Sequence, residues 1–117
     1  MSEAALIQLE SAPFVINMDA GDDVDIPFAV EATDTTGWTC EFLIYLSNDT
    51  KSGPSGSSIG SGAVSNTPNT LGGDSMLTVS LAGDVTSAYQ SRTLWARFRK
   101  TNTGSQRTLG TGPINLK

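Results

Sequence analysis

Apolar and polar positions alternate through residues 24–46, and this alternation is the strongest structural signal in the chain. Val24, Ile26, Phe28 and Val30 interleave with Asp25, Pro27, Ala29 and Glu31. Trp38, Cys40, Phe42, Ile44 and Leu46 interleave with Thr39, Glu41, Leu43 and Tyr45. A period of two puts every second side chain on one face, so each run predicts a strand that buries one side and wets the other. The polar stretch between them ends in Gly37 and predicts a turn that closes the two strands on each other. Pro27 has no N–H to give to a ladder, which predicts an edge strand or pairing on one side only at that point.

The rest of the chain predicts more short strands. Residues 3–10, with Ile7 and Leu9, suit an arm or a first edge strand. Residues 13–18 set Phe14 and Ile16 opposite Val15 and Asn17, and a tight turn follows at Ala20-Gly21-Asp22-Asp23. Residues 47–75 are rich in Gly, Ser, Asn, Thr and Pro, broken by Ile59, Ala63, Val64 and Leu71. They predict a long loop with a weak strand near 58–65. Leu77, Val79 and Leu81 share one strand face, and Val85 and Tyr89 lie four apart on a helical turn over 84–89. Residues 93–100 turn Leu94, Ala96 and Phe98 inward and Trp95, Arg97 and Arg99 outward, before a hairpin turn at Asn102-Thr103-Gly104. Residues 106–109 pair back, and 113–116 finish the sheet.

These elements divide the chain into an arm at 1–12 and one domain at 13–117, with the Gly/Ser-rich loop at 47–75. About seven strands, regular turn signals and one helical turn predict an all-β, immunoglobulin-like antiparallel β-sandwich. There is no Cys…Trp…Cys spacing, so it is not an antibody-type domain.

Composition narrows the picture. At 117 residues and 38% hydrophobic, the chain suits one soluble domain with a core large enough to need no staple. Cys40, its single cysteine, sits on the face of Trp38 and Phe42 and reads as inert packing. The start has no basic region and no long apolar run, so the expectation is cytoplasmic synthesis without a signal peptide or membrane span. The net charge of -5 is segregated: acids from Glu3 to Asp49 precede the first basic residue, Lys51, while Arg92 to Lys117 hold basic residues and no acid. Two readings stand. Sheet pairing brings an acidic strand beside a basic one, or opposite edges carry opposite charge and favour ordered contacts between copies.

Chemistry is sparse. Without histidine, a Ser/His/Asp triad, a Cys/His pair and a Cys/His zinc site are excluded, and no enzyme is expected. Asp19, Asp22, Asp23 and Asp25 crowd one turn, but their order is not that of an EF-hand, so neither metal nor other cofactor is expected. The Gly53–Gly62 glycines lack the terminal Lys-Ser/Thr of a phosphate loop and read as flexible connection. Trp95, Arg97 and Arg99 on one face combine an aromatic ring with guanidinium groups, the mixture found at interface anchors. The acidic total charge speaks against nucleic acid.

The whole pattern resembles small immunoglobulin-like virion proteins of tailed bacteriophages, and is similar to the N-terminal domain of upper-baseplate and tail-adaptor proteins. The residues that carry the resemblance are Gly21-Asp22 leading to Ile26-Pro27-Phe28, then Asp34-Thr35-Thr36-Gly37-Trp38, then Leu77-Thr78-Val79-Ser80-Leu81. The helical turn at 84–89, the aromatic strand at 94–98 and Gly112-Pro113-Ile114-Asn115-Leu116 complete it. It implies a non-catalytic structural protein of the virion, a homo-oligomer in the assembled particle that contacts other virion proteins and its own copies. Family members usually continue into a host-binding or fibre-holding region, whereas this sequence stops at Lys117. That departure and the long loop leave a capsid decoration or head accessory role beside the baseplate or tail role. A carbohydrate-binding module, with Trp95 and Tyr45 stacking on sugar, is the alternative from another class. Partner contact is expected from Trp95, Arg97 and Arg99, from Ile7 and Leu9 of the arm, and from Ile59 and Val64 of the loop.

Overall fold

A computed structural model of the chain describes the backbone of Ser2–Glu3 and Ile7–Gln8, together with residues 14–49 and 53–117. The strands are β1 (Ser2–Glu3), β2 (Ile7–Gln8), β3 (Ile16–Met18), β4 (Val24–Val30), β5 (Cys40–Tyr45) and β6 (Ser47–Asp49). They continue with β7 (Gly53–Ser55), β8 (Gly60–Thr67), β9 (Ser75–Leu81), β10 (Thr93–Lys100) and β11 (Arg107–Leu116). A short helix α1 (Gly83–Thr86) runs into a 3₁₀ turn (Ser87–Tyr89) between β9 and β10. The protein is all-β.

One sheet carries the order β1-β4-β9-β8-β5-β10-β11-β3, with β2 also on β4, while β6 and β7 form a separate hairpin. The sheet curls on itself, and β8 is the fold line: residues 63–67 pair with β9 while 60–62 pair with β5. The two halves then face each other. Phe28 on β4 meets Phe98 on β10 edge-on with ring centroids 4.8 Å apart, and lies 6.0 Å from Phe42 on β5. Phe14 closes the cluster 5.4 Å from Phe28. Edge-to-face packing sets the positive rim of one ring against the negative face of the next. Around the rings, the alternate residues of β9 and β10 are buried as their period predicts: Leu77, Val79 and Leu81, then Leu94, Ala96 and Phe98.

The two alternating strands of residues 24–46 do not form a hairpin. β4 pairs with β9 over its whole length, and β5 pairs with β10 and β8. The segment between them carries the chain from one half to the other. Alternation says which side of a strand is buried but not which strand lies beside it; here the two apolar faces oppose each other across the core. The crossover is pinned from β8. Thr35, fully buried, donates its hydroxyl to Asn66 Oδ1 at 2.6 Å, and Asn66 Nδ2 donates to the Thr35 carbonyl at 2.7 Å.

Residues 47–75 are likewise not one loop, since they contain β6, β7 and β8. The weak strand expected near 58–65 is the first part of β8. Two of its inward positions are Gly60 and Gly62, where a Cβ would run into Val85 and into Val79 and Leu81. The space is already filled, so Val64 is left as the apolar side chain by which the strand's inner face announces itself.

Pairing is also mixed, not wholly antiparallel as expected. β3 runs parallel to β11, and β1 and β2 run parallel to β4. β3 must run toward the turn that delivers β4, and β11 ends at that same place: Lys117 N–H donates to the Met18 carbonyl at 3.1 Å. β9 pairs with Pro27 at Thr78, and β1 and β2 pair with the other side of β4 at residues 24–25 and 28–29. The turn beside it clamps the helical segment. Gly83 N–H donates to Asp23 Oδ1 at 2.7 Å and Gly21 N–H to Thr86 Oγ1 at 3.0 Å, which lays Val85 and Tyr89 against the core.

Candidate functional site

β10 positions the candidate face. Leu94, Ala96 and Phe98 anchor one side in the core, so Trp95, Arg97 and Arg99 stand together on the other, each half-buried. Trp95 lies between Tyr45 on β5 and Pro113 on β11, Arg97 between Leu43 and Thr111, and Arg99 between Glu41 and Thr108. The outer surface of β5, β10 and β11 therefore combines apolar and aromatic groups with guanidinium groups.

Two of the three predicted residues are already engaged within the molecule. The Arg97 guanidinium stacks 5.8 Å from the centroid of Tyr45 and donates Nη2 to the Pro54 carbonyl at 3.0 Å. Arg97 thus holds the β6–β7 hairpin over this part of the face, and Tyr45 is buried. Arg99 Nη1 lies 3.9 Å from Glu41 Oε1, with both side chains about one-third exposed. This pair is the acidic-beside-basic arrangement the charge pattern allows, and exposed pairs of this kind contribute about 0.2–1 kcal/mol. Arg97→Glu would release the hairpin as well as change the surface charge, so it is a poor probe of the face.

The other predicted contact residues lie elsewhere. Ile59 and Val64 are half-buried against the core, and Ile59 N–H donates to the Ile44 carbonyl at 2.7 Å. They touch the protein's own interior. Ile7 sits in β2 in register with Phe28, and Leu9 lies outside the described residues. Burial of Tyr45 also removes one of the two open rings that a sugar-stacking site on Trp95 and Tyr45 requires. In the Asp19–Asp25 turn, Asp23 holds Gly83 N–H and Asp25 Oδ1 accepts from the Ser80 hydroxyl at 2.6 Å. Among the described residues, no group of three His, Cys, Asp or Glu side chains is placed to hold a metal ion.

A second cluster lies at the far end of β10, the end shared with the β10–β11 turn. Lys100 Nζ stands 4.6 Å from the Trp38 ring centroid and the Arg107 guanidinium 5.3 Å from it. Lys100 and Arg107 are cross-strand partners on β10 and β11. Asn102 brings Trp38 to them: its Oδ1 accepts from Thr39 N–H at 2.7 Å and its Nδ2 donates to the Gly37 carbonyl at 3.0 Å. Each stacked cation contributes about 0.5–1 kcal/mol at exposed sites. By its period Trp38 reads only as a core residue, and it does rest against the core. The cations at its outer edge come from residues 62 and 69 positions away in the sequence, which periodicity does not register. The Asn102-Thr103-Gly104 turn, which sets Lys100 near Arg107, was the available clue.

Electrostatics at this end are local. Asp34 accepts from both the N–H and the hydroxyl of Thr36, at 2.9 and 2.6 Å, which holds its carboxyl below the usual range. Burial pushes the Cys40 thiol up, and the nearby Lys100 charge pulls it partly back. A thiol kept protonated is a poor nucleophile. Native Cys40 is therefore expected to react with a disulfide reagent at pH 8 roughly tenfold more slowly than in the denatured chain. Equal rates in the two states would contradict the burial.

No family model and no curated protein matches the chain. Solved structures do. The N-terminal domain of ORF48 from phage TP901-1 superposes with a TM-score of 0.52 at 14% identity, covering 100% of this chain and 99% of that chain. The cysteine protease inhibitor EhICP2 from Entamoeba histolytica superposes at 0.49 with 11% identity, covering 99% of this chain and 97% of that chain. At that score the second likeness carries no argument. What the chain shares with the phage domain is its fold.

Proposed function

We propose that the chain is a non-catalytic structural module of a tailed-phage particle, held in place by protein–protein contacts. The observation that carries this reading is the end-to-end likeness to the N-terminal domain of phage TP901-1 ORF48, at TM-score 0.52. The surface supports it. Trp95, Leu43 and Pro113 form a half-buried apolar strip beside Arg99, and Trp38 with Lys100 and Arg107 forms a second aromatic–cationic site. Aromatic rings and arginine are the groups that dominate binding energy at protein interfaces. Catalysis is not part of the proposal, because the sequence has no histidine and its one thiol is held protonated. A place in baseplate, tail or head follows from its neighbours in the particle.

Particles purified from the phage that encodes the chain provide the test. Mass spectrometry is expected to find its peptides at a fixed ratio to the major capsid protein through successive gradients. Loss of those peptides on repeated purification would end the proposal.

A further inference from the structure

Three loops meet where β4, β8 and β10 stop: the crossover of residues 31–39, residues 68–74 and residues 101–106. The crossover braces the other two. Ala32 N–H donates to Asp74 Oδ1 at 3.1 Å, and the fully buried Ser75 donates its hydroxyl to the Thr33 carbonyl at 2.5 Å. The same Ser75 oxygen accepts from Asn69 N–H at 2.8 Å, and Asn69 Oδ1 accepts from Leu71 N–H at 2.9 Å. Gly73 packs so closely on the Asn69 side chain that a Cβ there would overlap it. On the other side, Asn102 holds Gly37 and Thr39, and Thr101 N–H donates to the Thr39 carbonyl at 2.7 Å. Out of this braced end stands Leu71, 93% exposed, the most exposed large apolar side chain among the described residues. Its neighbours Thr70, Gly72 and Gly73 are too small to keep another surface away from it. A leucine in the open on a slack loop is ordinary. Here the loop is already tied down, so docking through Leu71 costs little further ordering.

We propose that Leu71 is an anchor that inserts into an apolar cleft of a different protein of the particle. The inference rests on the assembly role and names the contact residue and the chemistry of the surface that receives it. A rigid loop tip that projects an apolar side chain fits a concave partner, not a flat one. Charge does not choose the partner by sign, because Glu31, Asp34, Glu41 and Asp74 share this end with Arg99, Lys100 and Arg107. It does speak against a second copy. Asp74 lies in the Leu71 loop and Glu31 adjoins Ala32, which holds Asp74, so two copies meeting here would set these acids against each other. The overall charge of -5 adds to that repulsion. The cleft therefore has apolar walls and a rim that is not acidic.

Hydroxyl-radical footprinting of the wild-type chain, free and in purified particles, tests it. Oxidation of Leu71 is expected to fall at least about tenfold in particles, since a docked anchor is sealed from water. Cells that make wild type and Leu71→Asp together should yield particles depleted in the variant at least about tenfold. Circular dichroism and the melting midpoint of the variant should match the wild type. Leu71→Met, apolar and of similar volume, should enter particles within about threefold of the wild type. Equal entry of Leu71→Asp, or Leu71 oxidised as fast in particles as in the free chain, overturns the anchor and leaves the assembly role standing. Exclusion of Leu71→Met as strong as that of Leu71→Asp overturns an apolar cleft. Protection that arises in the isolated chain as its concentration rises makes the occupant a second copy and overturns the assignment to a different protein. If the wild-type chain is absent from particles, the assembly role fails and the anchor with it.

Discussion

Phe28→Ala is expected to lower stability by about 3–5 kcal/mol, because it removes the ring on which the two halves of the sheet meet. Phe28 is fully buried and touches the rings of Phe14, Phe42 and Phe98, the last edge-on at 4.8 Å. Its neighbours are held by strands on both sides and cannot collapse into the space, so a cavity term adds to the lost transfer free energy. A domain of this size has about 5–15 kcal/mol in total, so the variant should lose a large share of its denaturant midpoint. Leu71→Ala is the control. Leu71 is 93% exposed, and its truncation should change stability by no more than about 0.5 kcal/mol. Equal midpoints for the two variants would show that the aromatic cluster does not hold the halves together.

Gly112→Ala is expected to cost about 3 kcal/mol, at the upper end of the usual range for overpacking. Position 112 is buried in β11 opposite Ala96, and a Cβ there would overlap the carbonyl of Phe14. That carbonyl belongs to backbone, which cannot rotate away as a side chain would. Phe14 N–H donates to the Thr111 carbonyl at 3.0 Å, so the approach of the two chains is fixed on both sides. The added methyl group must push the chain at Phe14 off β11, carrying its ring away from Phe28. Amide exchange should accelerate in β3 first, before the rest of the sheet. If the variant exchanges uniformly like the wild type, the close approach is not what positions Phe14.

These two positions also show what assembly has to work with. The core is complete without a partner: its aromatic cluster is closed and, among the described residues, no buried side-chain polar atom lacks a hydrogen bond. The surface candidates are therefore separable from folding. Trp38, Lys100 and Arg107 sit at a strand end, away from Phe28, and changing the exposed Arg107 should affect association and leave the fold intact. Arg97 is the exception, since it fastens the β6–β7 hairpin as well as facing outward.

Much of the architecture was legible in the residues themselves. The all-β class, the inward faces of β4, β5, β9 and β10 and the helical turn that Val85 and Tyr89 hold on the core all follow from local spacing. Each depends on residues a few positions apart, where side-chain direction is dictated by backbone geometry alone. The path of the sheet was not legible in this way. That β4 faces β5 instead of pairing with it, that a glycine-bearing strand joins both halves, and that β3 lies parallel on β11 depend on segments far apart in the chain. β8 was legible only as a weak strand near 58–65, because its inward glycines record space taken by Val79, Leu81 and Val85, a property of neighbours and not of the strand's own residues.

The same division runs through the candidate site. Sequence alone placed Trp95, Arg97 and Arg99 on one outward face, since three alternate residues of one strand cannot do otherwise. Tertiary structure decided that the β6–β7 hairpin engages Arg97, that Arg99 meets Glu41, and that Lys100 and Arg107 converge on Trp38. Period fixes the direction of a side chain, and only the closing of distant strands decides what stands in front of it.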